Sequence, residues 1–312
     1  MRIVFFGSPP AALPSLGALL EAGHSVELVI TQPDRPAGRG RKLTPSAVKA
    51  FAVARGIPVL EPAKIRKDES VLERLRTVCP DVHVVVAYGQ IIPASVTDFP
   101  PRHSLNVHFS LLPKYRGASP VQWAIINRET RTGVTIFELN EKMDEGNILA
   151  MEATDIQPGE TTRDLEKRLA TMGAALLIRT LEDIDRIVPV PQDHSLATLA
   201  PKIRKEDGAI DWGKEAAAID GRVRAFQPWP SAFSFLKGKR VQVHRGMALG
   251  TGCTPSPPGT VLAVGKNGLN VACGGGTIYR IESIQPEGKK KMDAHAFSLG
   301  AGVRAGDVFS RS

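Results

Sequence analysis

Short apolar runs alternate with helical patterns through the first 190 residues, and this alternation restricts the possible folds more than any other feature. The runs that predict strands are Arg2–Phe6, Ser25–Thr31, Asp81–Ala87 and Ser104–His108. The patterns that predict helices are Ala12–Ala22, Pro45–Arg55 and Thr161–Ile187. The β-branched run DVHVVVA suits burial on both faces of a parallel sheet. The order of elements predicts an α/β fold with a doubly wound, mostly parallel sheet, whose ligands bind at the carboxyl ends of the strands.

The sequence changes character after residue 188. The segment VPVPQDHS predicts a linker, and a helical stretch near 214–226 is followed by five short strands between turns rich in Gly, Pro and Asn. Short strands with frequent turns predict a small, OB-like β-barrel. The sequence therefore predicts a catalytic domain at 1–188, a linker at 189–204 and a C-terminal barrel domain at 205–312.

Positive charge is concentrated at the C-terminal end. The chain has 40 Lys and Arg against 32 Asp and Glu, a net charge of +8. Residues 1–200 carry no net charge, and residues 201–312 carry the whole excess. A basic domain behind a neutral one favours a polyanionic partner, RNA more than a membrane. The alternative is a proteome that is basic throughout.

A second basic feature is the segment TQPDRPAGRGRKLTP at 31–45. Its prolines and glycines predict an irregular loop, which leaves the carboxyl end of the second strand. A basic loop at that edge suits contact with a nucleic-acid backbone, and a solvated surface loop is the alternative. The candidate contacts are Arg35, Arg39, Arg41 and Lys42.

Several classes of protein fit the sequence poorly. No apolar run approaches the ~18 residues of a membrane span, and Gly7, Pro9 and Pro10 interrupt the first apolar run, so we expect a cytoplasmic protein without a secretory signal. The three cysteines are far apart and form no CxxC pair, which disfavours disulfides and zinc. The first loop lacks a GxGxxG motif, so a dinucleotide site is poorly supported. We expect no metal site.

One segment carries candidate chemistry. Asn106 and His108 are two residues apart in a predicted strand, so they point to the same face at its carboxyl end. Downstream, Asp144 lies in a predicted tight turn. An amide donor, an imidazole and a carboxylate together can support acyl transfer without a covalent intermediate. The spacing alone leaves a structural role open.

Three motifs resemble those of the folate-dependent formyltransferases: NVHFSLLPKYRGASP, AYGQIIP and MDEGNIL. The resemblance implies a Rossmann-like formyltransferase fold and 10-formyltetrahydrofolate as the formyl donor, with no metal. It also implies that Asn106, His108 and Asp144 are catalytic. The residues that it implies for the folate site are Ser110, Leu111, Leu112 and Pro113, with Tyr88, Gly89, Gln90 and Ile91 nearby.

Three further segments, TQPDRPAGRGRKL, 202–230 and PEGKKKM, resemble the tRNA-formylating branch of that family, so the similarity covers essentially the whole chain in order. It implies transfer of the formyl group to the α-amino group of methionine on initiator tRNA. Arg39 falls at the position that the family uses to wedge the tRNA. The C-terminal residues expected to contact tRNA are Lys202, Arg204, Lys205, Lys289, Lys290 and Lys291. A long, exposed substrate favours a monomer.

The chain departs from the family at Ala11, Phe109 and Gln227, which stand where phenylalanine, a small residue and asparagine are usual. Ala11 leaves the shape of the site near the first loop open. Other functions also stay open at this point. One is formylation of a small amine, such as glycinamide ribonucleotide or an amino-sugar nucleotide, which the basic segments disfavour. A non-catalytic RNA-binding protein is disfavoured by the intact Asn106, His108 and Asp144. A nicotinamide-dependent dehydrogenase lacks its glycine motif.

Overall fold

The computed structural model describes residues 1–37, 42–251 and 256–311, and the chain forms two compact units. The first unit comprises Met1–Pro120, Arg131–Asp155 and Glu166–Pro201. The second comprises Val121–Thr130, Ile156–Leu165 and Lys202–Ser312. Two short segments that precede residue 166 thus join the C-terminal unit. The predicted boundaries at 188 and 205 stay a prediction.

The helices range in length from 4 to 21 residues. Within the described ranges they are α1 (Leu13–Glu21), α2 (Ala47–Val53), α3 (Glu69–Val78), α4 (Ala94–Thr97), α5 (Pro120–Ile126), α6 (Thr162–Glu182), α7 (Ala216–Ala225) and α8 (Ala294–Ala301). Side-chain caps fix several starts. Ser46 accepts a hydrogen bond from the Lys49 amide ahead of α2, and Asp293 accepts from the His295 and Ala296 amides ahead of α8.

The first unit is built on a seven-stranded sheet and a small hairpin. Its strands are β1 (Arg2–Gly7), β2 (Ser25–Ile30), β3 (Arg35–Ala37), β4 (Lys42–Thr44), β5 (Val59–Leu60), β6 (Val82–Val86), β7 (Ser104–His108), β8 (Arg131–Glu138) and β9 (Ile148–Asp155). The large sheet has the order β5-β2-β1-β6-β7-β8-β9. The pairs from β5 to β7 are parallel, and β8 and β9 extend the sheet antiparallel. This confirms the predicted doubly wound, mostly parallel sheet.

The strand order reverses beside β1. The chain moves from β1 to β2 and β5 on one side, then returns to β6 and β7 on the other. Such a reversal opens a crevice at the carboxyl ends of the two strands that flank it. The central strands are apolar because both of their faces are covered: Val82–Val86 is buried at every position, and Phe6 packs among Val4, Leu28 and Ile30. The crevice therefore has a rigid, apolar support.

The second unit is built on an antiparallel sheet with a bent edge. Its strands are β10 (Ala232–Leu236), β11 (Lys239–Thr251), β12 (Val261–Gly265), β13 (Gly268–Ala272), β14 (Thr277–Pro286), β15 (Met292–Asp293) and β16 (Phe309–Ser310). The order is β12-β13-β14-β11-β10-β16, with β15 beside β14. A bridge between Thr260 and Val308 brings the two edges together, so the sheet curls. The predicted C-terminal antiparallel barrel is thereby confirmed. Its core holds Trp212, whose indole N–H donates to the Ser234 hydroxyl at 3.0 Å.

The prediction that 31–45 forms no regular element was wrong. Strands β3 and β4 pair antiparallel, with Arg35 opposite Thr44 and Pro36 opposite Leu43. A two-stranded ribbon needs only alternate N–H groups for its ladder, which leaves places where proline is tolerated. Arg39 and Arg41 lie outside the described residues, and of Lys42 only the backbone is described.

Candidate active site

A serine after β1 joins the loops that follow three strands. The Ser8 hydroxyl oxygen accepts hydrogen bonds from the Gln32 amide at 3.0 Å and the Thr31 hydroxyl at 3.1 Å. The hydroxyl in turn donates to the Tyr88 carbonyl at 3.5 Å, and the Gln32 side chain donates to the same carbonyl at 3.1 Å. The loops after β1, β2 and β6 are thus tied together at the crevice.

The loop at 88–91, predicted to line the folate site, uses two of its side chains internally. The Tyr88 ring is buried edge-on against Phe6, and burial, with a smaller contribution from the Asp68 carboxylate, raises the pKa of its phenol. The Gln90 amide accepts from the Ile65 N–H at 2.9 Å and donates to the Pro62 carbonyl at 3.0 Å. Ile91 is 64% exposed. This loop therefore offers a ligand its backbone and Ile91 rather than polar side chains.

The second predicted folate-lining segment, Ser110–Pro113, is held by a buried threonine on β8. The Thr135 hydroxyl donates to the Ser110 carbonyl at 2.7 Å and accepts from the Leu112 N–H at 3.1 Å. Ser110 is fully buried, and its own hydroxyl donates to the Lys114 carbonyl at 2.7 Å. Leu111 and Pro113 are half-buried. The segment is therefore a fixed wall rather than a mobile loop.

The three predicted catalytic residues lie on two segments that the fold brings together. Asn106 and His108 share a face of β7, as predicted, and β7 pairs with β6 on one side and β8 on the other. The His108 Nδ1 lies 3.8 Å from the Asp144 Oδ2. No group in the described part of the chain hydrogen-bonds the half-buried Asn106 amide, so that amide is available to a ligand.

A backbone carbonyl sets the tautomer of His108. The Nε2 lies 3.0 Å from the Tyr115 carbonyl oxygen, which can only accept, so Nε2 carries a proton. This leaves Nδ1, the nitrogen that faces Asp144, free to take up or release a proton. The tautomer is therefore fixed by the backbone carbonyl of Tyr115 and not by the Asp144 carboxylate.

The Asp144 carboxylate is itself anchored. Its Oδ2 accepts a hydrogen bond from the Gly117 N–H at 2.8 Å. Gly117 has a φ of +124°, and a Cβ there would meet the Ala200 carbonyl oxygen at 2.6 Å, so only glycine fits. The carboxylate is therefore fixed beside His108 by a backbone donor that no side-chain motif would reveal.

A buried arginine lies behind the turn that carries Asp144. Arg116 is 5% exposed, and its guanidinium donates to the Gln192 Oε1 at 2.7 and 3.1 Å and to the His194 Nδ1 at 3.2 Å. The Glu145 carboxylate lies 3.4 Å from it. The role of Arg116 was not predicted from the sequence, although Arg116 and Gly117 lie within the motif NVHFSLLPKYRGASP.

The residues predicted to contact tRNA are exposed wherever the structure describes them. Arg35 donates to the Gln32 side chain at 2.8 Å. The predicted tRNA contacts in the C-terminal unit make no ion pair with any residue in the described ranges. These residues are Lys202, Arg204, Lys205, Lys289, Lys290 and Lys291. Their charges are therefore free to act on an anionic partner.

The described residues offer neither a metal centre nor a membrane-spanning helix. No group of three or more His, Cys, Asp or Glu side chains there could hold a metal ion. No helix in the same ranges has the length and apolar character to cross a membrane.

Comparisons with known proteins show the family to which the chain belongs. The family model described as "Formyl transferase" matches residues 1–181, and "Formyl transferase, C-terminal domain" matches residues 202–302. The methionyl-tRNA formyltransferase of Geotalea uraniireducens is 46% identical over 313 residues, which cover 100% of this chain and 98% of the relative.

Two solved structures have a similar fold. The methionyl-tRNA formyltransferase from Clostridium thermocellum matches with a TM-score of 0.58 at 18% identity, over 79% of this chain and 92% of that one. HypX from Aquifex aeolicus, solved with tetrahydrofolic acid, matches with a TM-score of 0.63 at 20% identity, over 96% of this chain and 47% of that one.

The fold and both family models define a formyl group transferase built from an α/β domain and a C-terminal antiparallel domain. The full-length similarity narrows this class further. The chain belongs to the methionyl-tRNA formyltransferase family.

Proposed function

We propose that this protein transfers the formyl group of 10-formyltetrahydrofolate to the α-amino group of methionine on initiator tRNA. The observation that carries the proposal is the site on β7, where an unoccupied amide, an imidazole and an anchored carboxylate meet at the edge of the crevice. Relatives that are 45–46% identical to this chain are named methionyl-tRNA formyltransferase, which supports the proposal.

Asn106 stabilises the charge that develops on the formyl oxygen. When the amine attacks the formyl carbon, the carbonyl oxygen gains negative charge, and a fixed amide donor stabilises it more in the transition state than in the ground state. The side chain is ready for this role because no described protein group competes for its N–H.

His108 and Asp144 move the proton. The attacking amine must be uncharged, and after the C–N bond forms it carries a proton that has to leave. His108 Nδ1 accepts that proton, since Nε2 is already committed to Tyr115. The imidazolium so formed lies 3.8 Å from the Asp144 carboxylate, which stabilises its charge. The same proton then passes to the nitrogen of the departing folate as the old C–N bond breaks, so no proton is gained or lost.

The two wall segments hold the formyl donor. Ser110–Pro113, fixed by Thr135, and the loop at 88–91 flank the crevice beside β7. A planar pterin suits such a site because backbone amides and carbonyls can read its edge while apolar side chains cover its faces. HypX, which has a similar fold, is solved with tetrahydrofolic acid.

The exposed basic residues recruit the tRNA. Arg35 follows β2 at the crevice edge of the sheet, and Arg39, Arg41 and Lys42 come shortly after it in the sequence; their role would be to position the acceptor end. The lysines and arginine of the C-terminal unit supply bulk attraction for phosphates. We also propose that the protein acts as a monomer in the cytoplasm; light scattering after size-exclusion chromatography would test the first statement.

A formylation assay tests the function. Purified protein is incubated with 10-formyltetrahydrofolate and, in parallel, methionyl initiator tRNA, methionyl elongator tRNA, glycinamide ribonucleotide and an amino-sugar nucleotide. We expect formylmethionine on the initiator tRNA alone. Equal or faster formylation of either small amine would replace the proposal with the small-amine alternative, and no formylation of any acceptor would contradict it.

A further inference from the structure

A buried glutamine lies in the segment that the sequence presented as a linker. Gln192 is 6% exposed, whereas its neighbours Pro191, Asp193 and His194 are exposed. A polar amide is buried at a cost unless its hydrogen bonds are satisfied, so a glutamine in this position requires specific partners.

The side chain of Gln192 has a full set of partners, and all of them lie next to the candidate site. Its Nε2 donates to the Asp144 carbonyl at 2.9 Å and to the Gly146 carbonyl at 2.7 Å. Its Oε1 accepts from the Arg116 Nε at 3.1 Å and Nη2 at 2.7 Å. Both N–H groups and the carbonyl oxygen are therefore used.

These bonds join the two segments that place the Asp144 carboxylate. One is the turn 144–146, in which Asp144 adopts a φ of +55°, a conformation that is unfavourable for a residue with a Cβ. The other contains Arg116 and the adjacent Gly117, whose N–H donates to that carboxylate. Gln192 holds the carbonyls on both sides of Glu145 and, through Arg116, the segment that carries the donor.

We infer that Gln192 is a positioning residue for formyl transfer, which acts by holding Asp144 beside His108. The Gln192 side chain makes its hydrogen bonds to Asp144, Gly146 and Arg116 and none to His108 or Asn106, so its influence on the reaction passes through the Asp144 turn and Arg116. The inference rests on the proposed formyl transfer.

Two substitutions separate this role from a merely structural one. Gln192→Met keeps the length of the side chain and removes every hydrogen bond. Gln192→Glu keeps the acceptor for Arg116, now as an ion pair, but directs an oxygen at the Asp144 and Gly146 carbonyls, where a donor is needed. Because the ion pair with Arg116 is retained, we expect Gln192→Glu to melt at a higher temperature than Gln192→Met, and the repulsion at the two carbonyls should still make it turn over slowly.

The measurement is steady-state formylation by the full chain, which gives kcat and the KM values for the formyl donor and for methionyl-tRNA, with a single-turnover assay at saturating enzyme to confirm that the chemical step is the one affected. We expect either variant to lower kcat by about 10-fold or more, since small displacements of a catalytic group cost rate steeply, with both KM values within about twofold. The matched control is Val190→Ala, two residues away, whose exposed side chain can be shortened while its backbone bonds to Ile148 stay. It should match the wild type.

A double-mutant cycle gives the decisive result. If Gln192 acts through Asp144, Gln192→Met added to Asp144→Asn should lower kcat little beyond Asp144→Asn alone. A multiplicative loss, a rise in KM without a fall in kcat, or wild-type kcat in both variants would overturn the inference. If Gln192→Met fails to fold, the same double-mutant cycle with Gln192→Glu and Asp144→Asn tests the inference. Loss of the proposed function itself would be seen separately, as inactivity of the wild-type protein.

Discussion

The two compact units use their charged residues in opposite ways. In the first unit Arg116 is buried, and its guanidinium is bonded to Gln192 and His194 beside the Glu145 carboxylate. In the second unit Lys289, Lys290 and Lys291 are exposed and make no ion pair with any residue that the structure describes. A side chain that must be held in an exact position near the reaction needs fixed hydrogen-bond partners. Side chains that attract an anionic partner over many ångströms need only unpaired charge.

This difference predicts different kinds of defect. Changes in the catalytic groups of the first unit, such as Asp144, should lower the rate of the chemical step and leave its salt dependence unchanged. Changes in the basic residues of the second unit should lower the affinity for tRNA and its salt dependence. They should leave the rate of formyl transfer to bound tRNA unchanged.

The largest effect should come from Asp144→Asn. The substitution keeps the shape of the side chain and an acceptor for the Gly117 N–H, but removes the charge 3.8 Å from His108 Nδ1. We expect single-turnover formylation to fall ~100-fold or more, the size of a general acid–base contribution. The melting temperature and tRNA affinity should change little. A rate loss that is explained by unfolding would mean that Asp144 is structural.

The second effect should come from replacing Lys289, Lys290 and Lys291 together with alanine. Each lysine that neutralises a phosphate contributes about 0.7 to 0.9 to the slope of log affinity against log salt, so the slope should become shallower by about two to three. Affinity for methionyl-tRNA should fall, while binding of the formyl donor and the rate at saturating enzyme should not.

A matched control removes the same amount of charge from the first unit. Lys64, Arg66 and Lys67 are exposed, and their triple alanine variant lowers the net charge by three as well. We expect it to keep the wild-type salt slope. Equal slopes for the two triple variants would show that net charge, and not the C-terminal face, attracts the tRNA.

The sequence predicted the parts of this division that depend on local pattern. Strands β1, β2, β6 and β7 were found because buried parallel strands are continuous apolar runs. The Asn106 and His108 pair followed from the two-residue period of a strand. Strands β8 and β9 were missed; β9 is half-buried along most of its length and has no clean alternation.

What the sequence did not predict depends on contacts between distant segments. Gln192 lies 48 residues from Asp144 and 76 from Arg116 along the chain. Thr135 reaches Ser110 and Leu112 only because β8 pairs beside β7. The Gly117 N–H has no side chain to mark it. These groups build the site, and a single sequence carries no periodic signal for them.

The third effect tests one of these long-range contacts. Thr135→Val keeps the β-branched shape but leaves the Ser110 carbonyl and the Leu112 N–H without their shared partner. Unpaired buried backbone groups cost about 1–3 kcal/mol. We expect a several-fold rise in KM for the formyl donor and unchanged tRNA affinity.

Thr132→Val is the matched control for Thr135→Val. Thr132 is buried on the same strand, and its hydroxyl makes no hydrogen bond with any group in the described ranges. It should leave the KM for the formyl donor unchanged. A similar rise in both variants would indicate a general disturbance of β8 rather than loss of the Thr135 bridge.

The smallest effect concerns acid and a buried group that takes no part in catalysis. His83, on β6, is fully buried, its Nδ1 bonds the Ser104 hydroxyl at 3.0 Å, and burial lowers the pKa of its imidazole to about 3. The unfolded chain, with a histidine pKa of about 6.5, binds the proton more readily, so lowering the pH favours unfolding from about 6.5 down to about 3. Between pH 7 and pH 5 this costs about 2 kcal/mol of folding free energy.

The variant His83→Gln removes that titration. Between pH 7 and pH 5, the free energy of unfolding measured with urea should therefore fall by about 2 kcal/mol less in the variant than in the wild type. The formylation rate at pH 7 should be nearly unchanged. Because His83 lies in the sheet that carries Asn106 and His108, equal acid sensitivity in the two proteins would mean that the sheet beneath the site opens enough to hydrate His83, which contradicts a rigid support for the first unit.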